Sequence, residues 1–188
     1  MIPRYEKKEI SAIFSDQHKF ETYLKIEMAI LKALEGDKVP KGISQKIAAK
    51  ANINPERIIE IEDTVKHDVI AFCTSITENL DPKVAKFFHF GVTSSDIIDS
   101  SLTLQIKEGL EIILKSYKKL LVAIHSRAEE MKDVVCIGRS HGMYAEPMSF
   151  GQKLLGHYNE FARRYQDLLN FYENELTIQF SGAVGNYT

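Results

Sequence analysis

Several things are missing from these 188 residues, and each absence removes a class of function. There is no excess of positive charge: 24 lysines and arginines stand against 26 aspartates and glutamates, for a formal net charge of −2. A nucleic-acid-binding domain carries a basic patch or stripe as its electrostatic footprint, and none is present. No apolar run approaches the roughly 20 residues of a membrane span. The opening "MIPRYEKKEI" has no apolar stretch of the secretory kind. The expected setting is therefore cytoplasmic, with neither nucleic acid nor membrane as partner. Only two cysteines occur, Cys73 and Cys136, far apart and outside any CxxC pair or Cys/His cluster. Zinc needs more ligands at tighter spacing, so both are expected as reduced thiols packed as small apolar groups, and no metal site is expected. Low-complexity sequence is missing too, which argues against a long disordered region.

Proline is absent from Ser94 to Lys132, and Gly109 is the single glycine there. Leu102, Ile106, Leu110, Ile113, Tyr117, Leu121, Ile124, Ala128 and Met131 recur every three or four residues. This predicts one helix of roughly 39 residues, about 58 Å long. A compact globule of this chain length has a radius of gyration of roughly 16 Å. Such a helix outruns its own domain, so another long helix, another subunit, or both must cover its apolar stripe. A second long helix is predicted from about Ser149 to Leu176, with Phe150, Leu154, Tyr158, Phe161, Tyr165 and Leu168 on its apolar face. Between the two, "VVCIG" and "MYAEP" read as short extended pieces around residues 134–147.

Earlier in the chain, "KFETYLKIEMAILKALEG" places Phe20, Tyr23, Leu24, Glu27, Ile30, Leu31 and Leu34 near one helical face, with Glu27 the one polar exception. Gly36 stops that helix. Pro40 and Pro55 mark the starts of shorter helices, and "DPKVAKFFHFG" reads as a connector or short helix ending at Gly91. The predicted class is all-α. A small N-terminal helical domain (1–92) precedes the first long helices of a bundle (93–188).

Four places interrupt the helix formers with polar chemistry. Arg4 and Tyr5 follow Pro3. In "KHDVIAF", Lys66, His67 and Asp68 form an ionisable trio. His67 beside Asp68 reads either as a surface pair or as an imidazole whose protonated form the carboxylate favours, suited to an anion. In "FHFGVTSSD", Thr93 or Ser94 can cap the long helix, with Asp96 in its first turn. The same geometry binds anions, because a helix N-terminus offers unpaired N–H groups and a positive dipole end. His89, just before, reads as packing or as a ligand. Finally, "GRSHGMYAEPMSFG" sets Ser140 and His141 on a turn that Gly138 and Gly142 allow to be tight. Histidine is the natural general acid or base near neutral pH.

Taken in order and spacing, "HDVIAF", "HFGVTSSD", "GRSHGMYAEPMSFG" and "SGAVG" resemble the adenylosuccinate lyase family of the fumarase/aspartase superfamily. The resemblance implies cleavage of a C–N bond with release of fumarate, without metal or organic cofactor. The substrates it implies are adenylosuccinate and the succinylated aminoimidazole carboxamide ribotide of purine biosynthesis. It also implies a homotetramer whose central helices form one bundle and whose active sites draw on three subunits. Matched position by position, His141 takes the role of general acid and His67 assists binding and orientation, with Lys66 and Asp68 beside it. Thr93 and Ser94 hold a substrate carboxylate, Arg4 and Tyr5 contact the nucleotide, and His89 is linked to phosphate binding.

Two departures stand out: Ser140 occupies a position where the family commonly has Thr, and "TIQFSGAVG" differs from the usual Gly-Lys-Ile lead-in. The serine base of the family's mobile "SSxMPxKxNP" loop would lie beyond Thr188, so these 188 residues are expected to be inactive alone. Sister lyases such as fumarase or argininosuccinate lyase, a related cycloisomerase, and a non-catalytic helical assembly module remain as alternatives.

Overall fold

Side chains mark the starts of most helices in this chain. The computed structural model describes residues 2–187. After a 3-10 turn at Pro3–Tyr5 come α1 (Lys8–Ile13), α2 (Asp16–Leu34), α3 (Ile43–Ala48), α4 (Pro55–Val65), α5 (Asp68–Thr77) and α6 (Pro82–Ala85). Then follow α7 (Ser94–Glu130), β1 (Val135–Ser140), β2 (Met143–Ser149), α8 (Phe150–Asn170) and a π turn at Phe171–Glu175. Ser15 accepts the amide of His18 to open α2, Asn54 that of Arg57 to open α4, and Ser149 that of Gln152 to open α8. Each satisfies a donor the first helical turn would leave unpaired. Pro55 and Pro82 sit in the first turns of their helices, where a missing N–H is harmless.

Pro40 does not start a helix. Gly42, at φ +83°, holds the N-cap of α3, which begins at Ile43. The first-turn donor finds its partner elsewhere: the Ser44 amide donates to Glu35 Oε1 at 2.7 Å. That amide, with the Ser44 hydroxyl, holds the Glu35 carboxyl below its ordinary range.

The chain divides into two compact units, residues 1–108 with 177–188, and residues 109–176. In the first, α2 to α5 converge on Phe20, Tyr23, Leu31, Ile47, Ile58, Val69 and Phe72, all buried. Phe20 and Phe72 stack with centroids 6.0 Å apart, and Tyr23 meets both edge-on, the arrangements that ring quadrupoles favour. Residues 177–182 run along the first turns of α7. Thr103 Oγ1 donates to the Thr177 carbonyl and Ser100 Oγ to that of Gln179, while Asp96 accepts the amides of Ser181 and Gly182. Positions 96, 100 and 103 share one face at helical spacing, so a polar stripe on α7 holds the irregular segment 177–182.

In the second unit, Tyr117 on α7 packs against Phe161 and Tyr165 of α8, and His125 against Tyr158. Leu110, Leu114 and Ala128 are buried, yet Ile113, Leu120 and Val122 are exposed. Within this unit α8 covers only part of the α7 surface. β1 and β2 form an antiparallel hairpin. Ile137 pairs with Pro147 and Arg139 with Tyr144, so Gly138 alone faces Ala145 and Glu146 across a bulge. A Cβ at Gly138 would come within 2.9 Å of the Glu146 carbonyl oxygen; one at Gly151 would lie 2.4 Å from that of Ala128. The glycines at both ends of the "GRSHGMYAEPMSFG" stretch are there for close approach.

Candidate functional site

Among the described residues, four non-glycine positions have positive φ: Lys66, His89, His141 and Tyr187. Three of them lie in the polar stretches singled out by sequence. Left-handed backbone is uncommon for residues with a side chain and collects at functional sites.

His141 is the clearest case. It forms, with Gly142, the two-residue turn between β1 and β2, at φ +52° and +73°. Positive φ at both positions is what a type I′ hairpin turn requires. The imidazole is thereby carried at the tip of a hairpin, exposed, with Ser140 exposed beside it. Arg139 lies over the Tyr144 ring at 5.1 Å, a cation–π contact across the hairpin. A side chain in this position is accessible to a ligand and held by backbone geometry.

In the first unit, Lys66 ends α4 in the left-handed region and His67 caps α5 at once. The two helices meet with no other linker. His67 Nδ1 accepts the Ile70 amide at 3.3 Å and lies 3.5 Å from Asp68 Oδ1. A nitrogen that accepts an N–H carries no proton. The cap uses the lone pair of Nδ1, so Nε2 is the ring nitrogen left for a ligand. Asp68 Oδ1 instead takes the amide of Val69 at 2.8 Å. Asp68 also raises the buried Tyr23 phenol to about 12, second to burial itself.

Thr93 is the residue before α7. Its amide donates to Asp96 Oδ2 at 3.0 Å, and the Asp96 amide to its carbonyl at 3.1 Å, a reciprocal cap. The amides of Ser94 and Ser95 and the hydroxyls of Thr93 and Ser94 have no partner among the described residues. They form a donor-rich, dipole-positive end suited to a carboxylate or phosphate. Asp96, 2% exposed, is held there by three converging amides.

Arg4 and Tyr5 are exposed, and the guanidinium lies 4.8 Å from the Tyr5 ring centroid. His89 Nδ1 bonds Glu27 Oε1 at 2.5 Å, and Glu27 is fully buried. Burial, and then the Glu27 charge, push the Cys73 thiol well up. Glu27, Cys73 and His89 place ligand-type atoms within 4.8 Å of one another. In this structure Glu27 and His89 are joined by a hydrogen bond. Sequence marked Glu27 only as a polar interruption of an apolar face. Its partner lies 62 residues away, beyond any local pattern.

Residues 5–188 match the model of a protein family described as lyase. Adenylosuccinate lyase of Synechocystis sp. is 39% identical over all of this chain and 43% of its own length. That of Helicobacter pylori strain 26695 is 41% identical over all of this chain and 42% of its own. The chain thus spans under half the length of these relatives. Among solved structures, a fumarate lyase from Mesorhizobium sp. BNC1 matches 96% of this chain and 44% of its own at TM-score 0.89 and 24% identity, a likeness of fold. A beta-carboxy-cis,cis-muconate cycloisomerase from Acinetobacter calcoaceticus matches 96% of this chain and 44% of its own at TM-score 0.85 and 25% identity. With a family match that runs from residue 5 to residue 188, the chain belongs to this lyase family.

Proposed function

We propose that the chain forms part of an adenylosuccinate lyase, eliminating fumarate from adenylosuccinate to give AMP, and from the succinylated aminoimidazole carboxamide ribotide. The observation that carries this reading is His141, set by a type I′ turn at an exposed hairpin tip. Identities of 39% and 41% to adenylosuccinate lyases, against 25% to the cycloisomerase, favour this branch over the cycloisomerase.

β-Elimination needs three things. A base removes the proton β to the leaving nitrogen, donors stabilise the charge that gathers on the neighbouring carboxylate, and an acid protonates the departing amine. His141 gives its proton to that nitrogen as the C–N bond breaks. Thr93 and Ser94, with the first amides of α7, hold a succinyl carboxylate. His67 offers its Nε2 proton to the substrate, with Lys66 and Asp68 alongside, and Ser140 adds a hydroxyl next to the acid. Arg4, Tyr5 and His89 serve the nucleotide and its phosphate. Residues 1–92 act as the N-terminal domain, and 93–188 open the bundle of a cytoplasmic homotetramer, whose partners cover the exposed face of α7. No base is assigned among these residues, so the 188 residues alone are expected to release no fumarate.

The test is an assay of the protein as its gene encodes it. Fumarate and AMP should form from adenylosuccinate in equal amounts. No turnover of adenylosuccinate, with turnover of argininosuccinate or a muconate instead, would overturn the reading.

A further inference from the structure

Packing alone does not account for Glu27. It lies on the core-facing side of α2, between Tyr23 and Leu31, and is fully buried. One carboxylate oxygen receives His89 at 2.5 Å; the other, Oε2, has no partner among the described residues. Leaving a buried polar atom unpaired costs roughly 1–3 kcal/mol. A buried acid–base pair is often no more stable than apolar residues of the same volume. A methionine would fill the space as well, but it could not hold the imidazole of His89.

That imidazole is fixed from several directions. Phe88, the residue before it, is buried against Phe72 with centroids 5.9 Å apart. His89 has φ +59°, and Gly91 follows at +76°, so the turn is bent tightly. Glu27 occupies Nδ1. Nε2 has no partner among the described residues, and the side chain remains 19% exposed. An anion meeting that nitrogen needs an N–H there. Since Nδ1–H is already given to Glu27, a second proton makes the ring an imidazolium, and the buried carboxylate supplies its counter-charge.

We propose that Glu27 is a positioning residue: by accepting Nδ1–H it presents the Nε2 edge of His89 as a donor to an anionic group of the ligand. Under the lyase reading, on which this rests, that group is the substrate phosphate. The group is remote from the bond that breaks, so Glu27 acts through the binding energy that the phosphate contributes, which is read in kcat/KM.

The experiment uses Glu27→Gln, Glu27→Met and His89→Gln in the protein as its gene encodes it. Glu27→Gln and His89→Gln should each lower kcat/KM for adenylosuccinate about tenfold or more. The double variant should be no worse than His89→Gln alone. Glu27→Met should match or exceed the wild-type melting temperature yet show the same fall in kcat/KM; a merely structural glutamate would give the reverse. An unchanged kcat/KM, or additive effects in the double variant, would overturn the proposal. So would micromolar zinc binding that is lost in Cys73→Ser, since the three groups would then be a metal site. Should the wild-type protein release no fumarate, the lyase reading fails and inorganic phosphate becomes the probe. Phosphate should then shift the His89 15N resonances in the wild type and not in Glu27→Gln; equal shifts, or none, would overturn it.

Discussion

Asp96 Oδ1 accepts the amide of Ser181 at 2.9 Å across 85 residues of sequence. One buried carboxylate thus joins the start of α7 to the "SGAVG" segment, while its other oxygen takes the Thr93 amide. The helix end that presents Thr93 and Ser94 is braced from behind by this residue.

Replacing Asp96 with Ala leaves the amides of Thr93, Ser181 and Gly182 without their acceptor. Hydrogen bonds to a charged group contribute about 1.5–3 kcal/mol, so a loss of about 2–3 kcal/mol is expected on urea unfolding. Hydrogen exchange at Ser181 and Gly182 should accelerate first. Unchanged protection at those amides would show that the brace is not needed.

Two glycines of α8 should behave in opposite ways. Gly151→Ala drives a methyl into the backbone of Ala128 and Lys132 and should destabilise by roughly 1–3 kcal/mol. At Gly156 nothing lies within 4 Å of where a methyl would stand, so Gly156→Ala should stabilise by up to about 1 kcal/mol through helix propensity. Thermal melts of the pair check both signs.

His67 is both a cap and a candidate for substrate contact, and substitution can separate the two. Asparagine is a good N-cap and alanine a poor one. His67→Ala should lose about 1 kcal/mol of stability, whereas His67→Asn should melt close to the wild type. If the ring serves the substrate, both should lose turnover. Activity in His67→Asn near the wild-type level would reduce the residue to its cap.

Tyr23 sets an alkaline limit. Its phenol is raised from 10.0 to about 12 by burial and by Asp68 and Glu62. The folded state keeps a proton that the unfolded state releases first, so this contribution is intact below pH 10.0 and is lost as pH rises toward about 12. Tyr23→Phe should flatten the fall in stability over that window. An equally steep fall in the variant would mean that other groups govern it.

Much of this was legible in the sequence, for identifiable reasons. The proline-free stretch from Ser94 predicted α7 to within two residues of its observed end at Glu130. Short extended pieces on either side of a Gly-flanked histidine predicted the hairpin. Local chemistry sufficed in both cases. It failed where partners are remote or conformation is set by tertiary packing. Pro40 looked like a helix start, but Gly42 in the left-handed region delays α3. The polar face of Asp96, Ser100 and Thr103 has meaning only once residues 177–182 lie along it. Glu27 was visible as an interruption of the apolar face, yet nothing near it in sequence named His89.

The most direct test is His141→Asn. Asn-Gly is the preferred pair for a type I′ turn, so the hairpin should form as well as before while the proton donor is gone. The account predicts a melting temperature at or above wild type and a fall in kcat/KM of roughly 10²–10⁴-fold, the usual share of a general acid. Turnover near the wild-type level in that well-folded variant would contradict it.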